Sequence, residues 1–139
     1  MPDDRLQSEW DRMMRMPAEA LAANSKLPLR IFDTAPPMFS SLAREIADLI
    51  IANNKAGRPT VLIQPVGPKK HFAELVEITN RERISWANVI SFNMDEWMDW
   101  QCRLVSVEHP WSFKGYMIRN LFSQIDAELR PAEANLRFP

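Results

Sequence analysis

Apolar positions along this chain alternate between two periods, one helical and one extended. Met38, Phe39, Leu42, Ala43, Ile46, Leu49 and Ile50 recur at helical spacing and form a broad apolar face that breaks at KAGRPT. Thr34 is placed to cap this helix, and Pro36 and Pro37 suit its first turn. TVLIQPV, residues 60–66, is a short apolar run that predicts a strand, and Gly67 follows it directly. HFAELVEIT predicts the next helix, through Phe72, Leu75, Val76 and Ile78. A further strand is expected from about Ala87 in ERISWANVISFNM, and another helix in HPWSFKGYMIRNLFSQIDAEL. LPLRIF, residues 27–32, reads as an earlier strand bounded by Pro28 and Asp33. ANLRFP, residues 134–139, reads as the approach to a last one.

Strands alternating with helices of this length indicate β-α-β crossovers. The expected class is α/β: a Rossmann-like parallel sheet with helices on both faces. Residues 1–26 form a helical extension in this reading, split near Pro17. Its stripe of Leu6, Trp10, Met13 and Met14 is expected to pack on the outside of a core. Residues 27–139 form the α/β part. Three strands leave a sheet edge open, which natural proteins usually cover. The domain is therefore expected to be truncated here, or to need a partner.

Composition narrows the function classes. Seventeen basic and eighteen acidic residues give a net charge of −1, so nothing pulls the chain toward nucleic acid or an anionic membrane. The polar, acidic start MPDDRLQSEW does not read as a secretory signal, and no apolar stretch has the length of a membrane span. Cytoplasmic location is the default expectation. Cys102 is the only cysteine and is read as structural, and His71 and His109 are too few for a metal site.

In open parallel sheets, ligands bind outside the carboxyl ends of the strands. Two segments are expected there. Gly67, Pro68, Lys69 and Lys70 leave one strand and open a helix, whose first amides can bind an anion. Asp95 and Glu96 leave the other, in FNMDEW. Both carboxylates are catalytic candidates, with Asp95 the sharper one. Adjacent residues on extended chain point to opposite faces, so a carboxylate dyad is not expected and Glu96 reads as a holder of the loop.

FNMDEW resembles the FNMDEY motif of glucosamine-6-phosphate deaminases, the isomerase family related to 6-phosphogluconolactonases. AREIADLIIANNKAGRPTVLIQPVG is similar to that family's first long helix and second strand, and EHPWSFKGYMIRNLFSQID to its H-P-x-S segment and following helix. The resemblance runs from about Leu29 to the end and covers the first half of the family's domain. It implies an enzyme that binds a sugar phosphate without metal or nucleotide cofactor. It implies Asp95 as the base that moves a proton between the sugar's first two carbons, with ammonia released as the ketose phosphate forms. It further implies that the histidine assisting ring opening, and later basic residues of the phosphate site, would follow Pro139; a missing C-terminal half or a homo-oligomer is the expected partner.

This chain departs from the family at two points. Its PVGPKK loop lacks the hydroxyls of the family's phosphate loop, and Pro68 offers no amide N–H, so Lys69 or Lys70 is expected to carry more of the anion binding. Trp97 stands where the family has tyrosine. Two other readings remain open at this level: a sugar-phosphate sensor domain of a regulator, and a non-catalytic fragment or paralogue acting through protein contacts.

Overall fold

The computed structural model describes residues 4–139, which divide into two compact units, one ending at Ala35 and the other Pro36–Pro139. In the first, α1 (Asp4–Met14) and α2 (Ala18–Asn24) are separated by Pro17, which stands just ahead of α2. The α1 stripe expected to be covered is exposed instead: Leu6, Trp10, Met13 and Met14 keep half or more of their surface. The strand expected at residues 27–32 does not form either. Pro28 has no amide to give a ladder, Leu27, Leu29 and Ile31 are exposed, and no described strand pairs with the segment.

The second unit follows the predicted alternation. Helix α3 (Ala35–Lys55) leads through a tight turn to β1 (Thr60–Gln64). Gly57, at φ +64°, makes that turn, and the Arg58 amide closes it on the Asn53 carbonyl at 2.9 Å. Then come α4 (His71–Arg81), β2 (Val89–Asn93) and α5 (Phe113–Asn120), followed by three short 3-10 turns and β3 (Leu136–Arg137). The strands lie in the order β1-β2-β3, all parallel, with Thr60 opposite Val89 and Gln64 opposite Asn93. ANLRFP thus supplies the sheet's third strand.

Strand periodicity sorts the side chains. Thr60, Leu62 and Gln64, with Val89, Ser91 and Asn93, point into the core. There Leu62 and Val89 join Ala43, Ala47 and Ile50 of α3, Phe72, Leu75 and Ile78 of α4, and Met117 of α5 in one apolar cluster. Trp86 is fully buried, and its indole N–H donates to Thr79 Oγ1 at 3.2 Å, so its one polar atom is satisfied. The alternate residues Val61, Ile63 and Phe92 are 55, 71 and 43% exposed on the opposite face. No helix among the described residues is long and apolar enough to cross a membrane.

Candidate functional site

Because β1 and β2 are parallel and in register through Gln64 and Asn93, the loops that follow them leave the same edge of the sheet. The Met94 amide donates to the Gln64 carbonyl at 3.2 Å and extends the ladder by one residue. Gly67–Lys70 and Asp95–Glu96 therefore share one rim, as strand topology predicts.

The first loop is anchored by the buried Val66, while Gly67, Pro68, Lys69 and Lys70 are exposed; Gly67-Pro68 is a cis peptide. Lys70 sits at the N-cap of α4 without a side-chain cap, so no side chain competes for the first-turn amides. The two lysines are not equivalent. Lys69 Nζ lies 4.5 Å from the centre of the Tyr116 ring, a cation–π contact that aims it toward α5. Lys70 lines a groove with Ser40, Arg44 and Glu74, between α3 and α4.

The two carboxylates of the second loop have different surroundings. Asp95 is exposed, and among the described residues no hydrogen bond or ion pair engages it. Glu96 is half-buried and fully occupied. Its Oε1 accepts from the amides of Trp97 and Phe113, each at 2.8 Å, and its Oε2 from the Lys114 amide at 2.8 Å and the Ser112 hydroxyl at 3.0 Å. Burial pushes the Glu96 pKa up, but the Lys114, Phe113 and Trp97 amides and the Ser112 hydroxyl outweigh it and hold the group below its ordinary value. Glu96 is a capping anion on the N-terminus of α5, which accounts for an acidic pair at a strand's end.

A cleft of about 340 Å³ is lined by Lys69 of the first loop, Trp97 just beyond the second, and Pro110, Trp111, Ser112, Phe113 and Tyr116 at the start of α5; Asp95 is not in its lining. Trp97 packs against Trp111 and Phe113, with ring centres 6.2 and 5.9 Å away. Sequence reading does not single out Trp111, Ser112 or Tyr116 individually. Ser112 alone carries a local signal, since a serine directly ahead of a helix is a preferred N-cap, and it accepts from the Gly115 amide at 3.0 Å.

Beyond Trp97 the chain folds into a small hairpin, with Met98 bridged to Leu104. Asp99 closes it by accepting from the Gln101 and Arg103 amides and pairing with the Arg103 guanidinium at 2.8 Å. Cys102 is at the tip, exposed and at φ +59°, so the structural role expected of it is not one of packing. His109 Nδ1 accepts from the Trp111 amide at 3.2 Å and shapes the turn into α5.

Fold and rim together define a Rossmann-like α/β protein with two exposed loops at the ends of β1 and β2. The same fold occurs in a monomeric glucosamine-6-phosphate deaminase described as a missing link of the NagB superfamily, with a TM-score of 0.60, 24% identity and coverage of 73% of this chain and 38% of that one. In sequence, the relatives are glucosamine-6-phosphate deaminases, in line with the FNMDEW and HPWS resemblance. That of Parabacteroides distasonis is 33% identical over 107 residues, covering 72% of this chain and 37% of that protein. That of Tolumonas auensis is 38% identical over 87 residues, covering 60% and 31%. The chain thus spans about a third of the length of these curated relatives. No family model matches it.

Proposed function

We propose that this segment carries the proton-transferring and phosphate-facing part of an amino-sugar-phosphate isomerase/deaminase, acting on glucosamine 6-phosphate or a close analogue. The observation that carries the reading is the contrast at the rim. Asp95 is exposed and unpaired, while its neighbour Glu96 is spent on holding the loop to α5.

Isomerisation of a 2-amino aldose requires a base that takes the C2 proton and returns it at C1. The imine left at C2 then takes up water and loses ammonia, giving the ketose phosphate. A base for this step must be ionised, reachable and fixed in place. Exposure leaves the Asp95 carboxylate reachable, and the four hydrogen bonds to Glu96 fix the backbone that bears it. The uncapped first turn of α4, with Lys69 beside it, supplies amides and a cation for the phosphate. Ring opening and the rest of the phosphate contacts are assigned to residues outside this segment, consistent with relatives about twice as long.

The test is exchange of the C2 hydrogen of glucosamine 6-phosphate with solvent, followed by NMR in the protein that contains this segment. Asp95→Asn should slow exchange by roughly two to four orders of magnitude and change Kd much less. Normal exchange in Asp95→Asn would remove Asp95 from the role.

A further inference from the structure

Three buried polar atoms gather at the end of the sheet. Gln64 is 6% and Asn93 9% exposed, and they are the last paired residues of β1 and β2, opposite one another in register. Gln64 Oε1 accepts from the Ser91 hydroxyl at 2.9 Å, and this bond orients the amide. It leaves Gln64 Nε2 without a partner, and both Asn93 Nδ2 and Asn93 Oδ1 are unpartnered as well. Two amide side chains at this depth are costly when unpaired, and apolar residues would serve the core better. Asn93 also lies two residues before Asp95, below the rim that both loops share.

We propose that Gln64 and Asn93 form a neutral hydrogen-bonding seat for one hydroxyl group of the sugar-phosphate ligand. This rests on the sugar-phosphate reading above. The donor and acceptor count selects the group. The seat offers N–H donors from both amides and one carbonyl acceptor, Asn93 Oδ1. A phosphate oxygen would use only the donors, and an ammonium group only the acceptor. A hydroxyl accepts from an amide N–H and donates to Asn93 Oδ1, so it answers both. The lack of formal charge on the seat agrees, because no carboxylate or cation is among its three side chains, Gln64, Ser91 and Asn93. A trapped water has the same chemistry and is the competing occupant.

Calorimetric titration of the protein that contains this segment, with glucosamine 6-phosphate and with inorganic phosphate, separates these cases, using wild type, Asn93→Leu and Gln64→Met. Both variants remove the unpaired atoms, though Gln64→Met also removes the acceptor of the Ser91 hydroxyl. If the hydroxyl seat exists, Kd for glucosamine 6-phosphate rises about 5- to 150-fold in each variant, the range for a lost buried hydrogen bond. Kd for inorganic phosphate then stays within about twofold, because phosphate alone lacks the group read here. The thermal midpoint of Asn93→Leu should hold or rise, since unpaired polar atoms have left the core, while Gln64→Met should be less stable because the buried Ser91 hydroxyl loses its acceptor. Unchanged sugar-phosphate affinity in Asn93→Leu would overturn the proposal, and a lowered midpoint alongside it would assign the seat to a structural water. Wild-type binding of phosphate with no gain for the sugar phosphate would also overturn it, while leaving the phosphate site standing. Binding of neither probe would instead refute the sugar-phosphate reading, and the seat's ligand with it.

Discussion

Ser112 and Glu96, sixteen residues apart, hold the second rim loop to the start of α5: the Ser112 hydroxyl donates to Glu96 Oε2 at 3.0 Å. Ser112 is 1% exposed and also accepts from the Gly115 amide, so one hydroxyl serves both the helix and the loop. With three backbone amides on the same carboxylate, this joint sets the position of Asp95 without involving it.

Replacing Glu96 by glutamine should therefore act on stability. An amide keeps the shape, but its NH2 group turns donors toward donors, and one of the two oxygens that now accept is lost. Unfolding in urea should show a loss of about 1–2 kcal/mol, the scale of a helix cap with charge-assisted bonds on a partly exposed group. Asp95→Asn, at an exposed and unpaired position, should stay within about 0.5 kcal/mol of wild type. Equal losses in both variants would contradict the division of labour between the two carboxylates.

The same joint makes the loop acid-sensitive. The Glu96 pKa is depressed in the folded state, with burial opposed and outweighed by the hydrogen bonds it accepts. Its contribution is therefore complete above the ordinary glutamate value of 4.5 and is lost as pH falls through the lower folded value. Asp99 is depressed too, by the backbone and side-chain hydrogen bonds from Arg103, and adds to the loss in the same direction below 3.8. Amide NMR signals of Phe113 and Lys114 should shift as pH drops below 4.5, and the shift should be absent in Glu96→Gln. Titration of these signals between pH 6 and 8 instead would point to a different group.

Gly115 is a close-approach position. A Cβ placed there would collide with the Val107 carbonyl and press on the Arg119 guanidinium, which itself donates to Val107 at 3.2 Å. Gly115→Ala should cost about 1–3 kcal/mol, despite alanine's better helix propensity, because the obstacle is backbone. A thermal midpoint equal to or above wild type would show that the turn at Val107 yields freely.

Lys69 and Lys70 should separate in phosphate binding. Lys69 stands over Tyr116 at the aromatic cleft, whereas Lys70 lines the groove between α3 and α4. Lys69→Gln should weaken inorganic phosphate binding several-fold and flatten its salt dependence, while Lys70→Gln should do less. Calorimetry in low and moderate salt distinguishes them, and a larger effect of Lys70→Gln would move the anion site to the other side of the loop.

Much of this architecture is written locally. TVLIQ and VISFN are short β-rich runs whose alternate residues face one core, and the helical stripe of α3 is long enough to be unambiguous. The shared rim follows from topology, since a parallel pair joined by one helix sends both loops off the same edge. Asp95 and the Gly67–Lys70 turn were legible for that reason. LPLRIF shows the limit of the same signals. Its apolar run has the composition of a strand, but a strand exists only where a neighbour takes its backbone hydrogen bonds, and no described strand does. The α1 stripe fails as a burial signal on similar grounds, because periodicity states which face is apolar and not what lies against it.

The extended chain already set Asp95 apart from Glu96, the expected holder of the loop, but only the tertiary structure supplied the partners that hold it. In sequence, Asp95 and Glu96 are both acids at the end of a strand. The partners arise because the chain returns through His109–Ser112 and delivers the α5 amides to one of them. The amide pair at Gln64 and Asn93 was invisible for the same reason. Polar residues at strand ends are ordinary in a sequence, and it takes parallel register, burial and the Ser91 bond to show that their remaining donors and acceptor are unspent. Local pattern specifies which elements form; hydrogen-bond partners many residues apart are decided by the packing that brings those elements together.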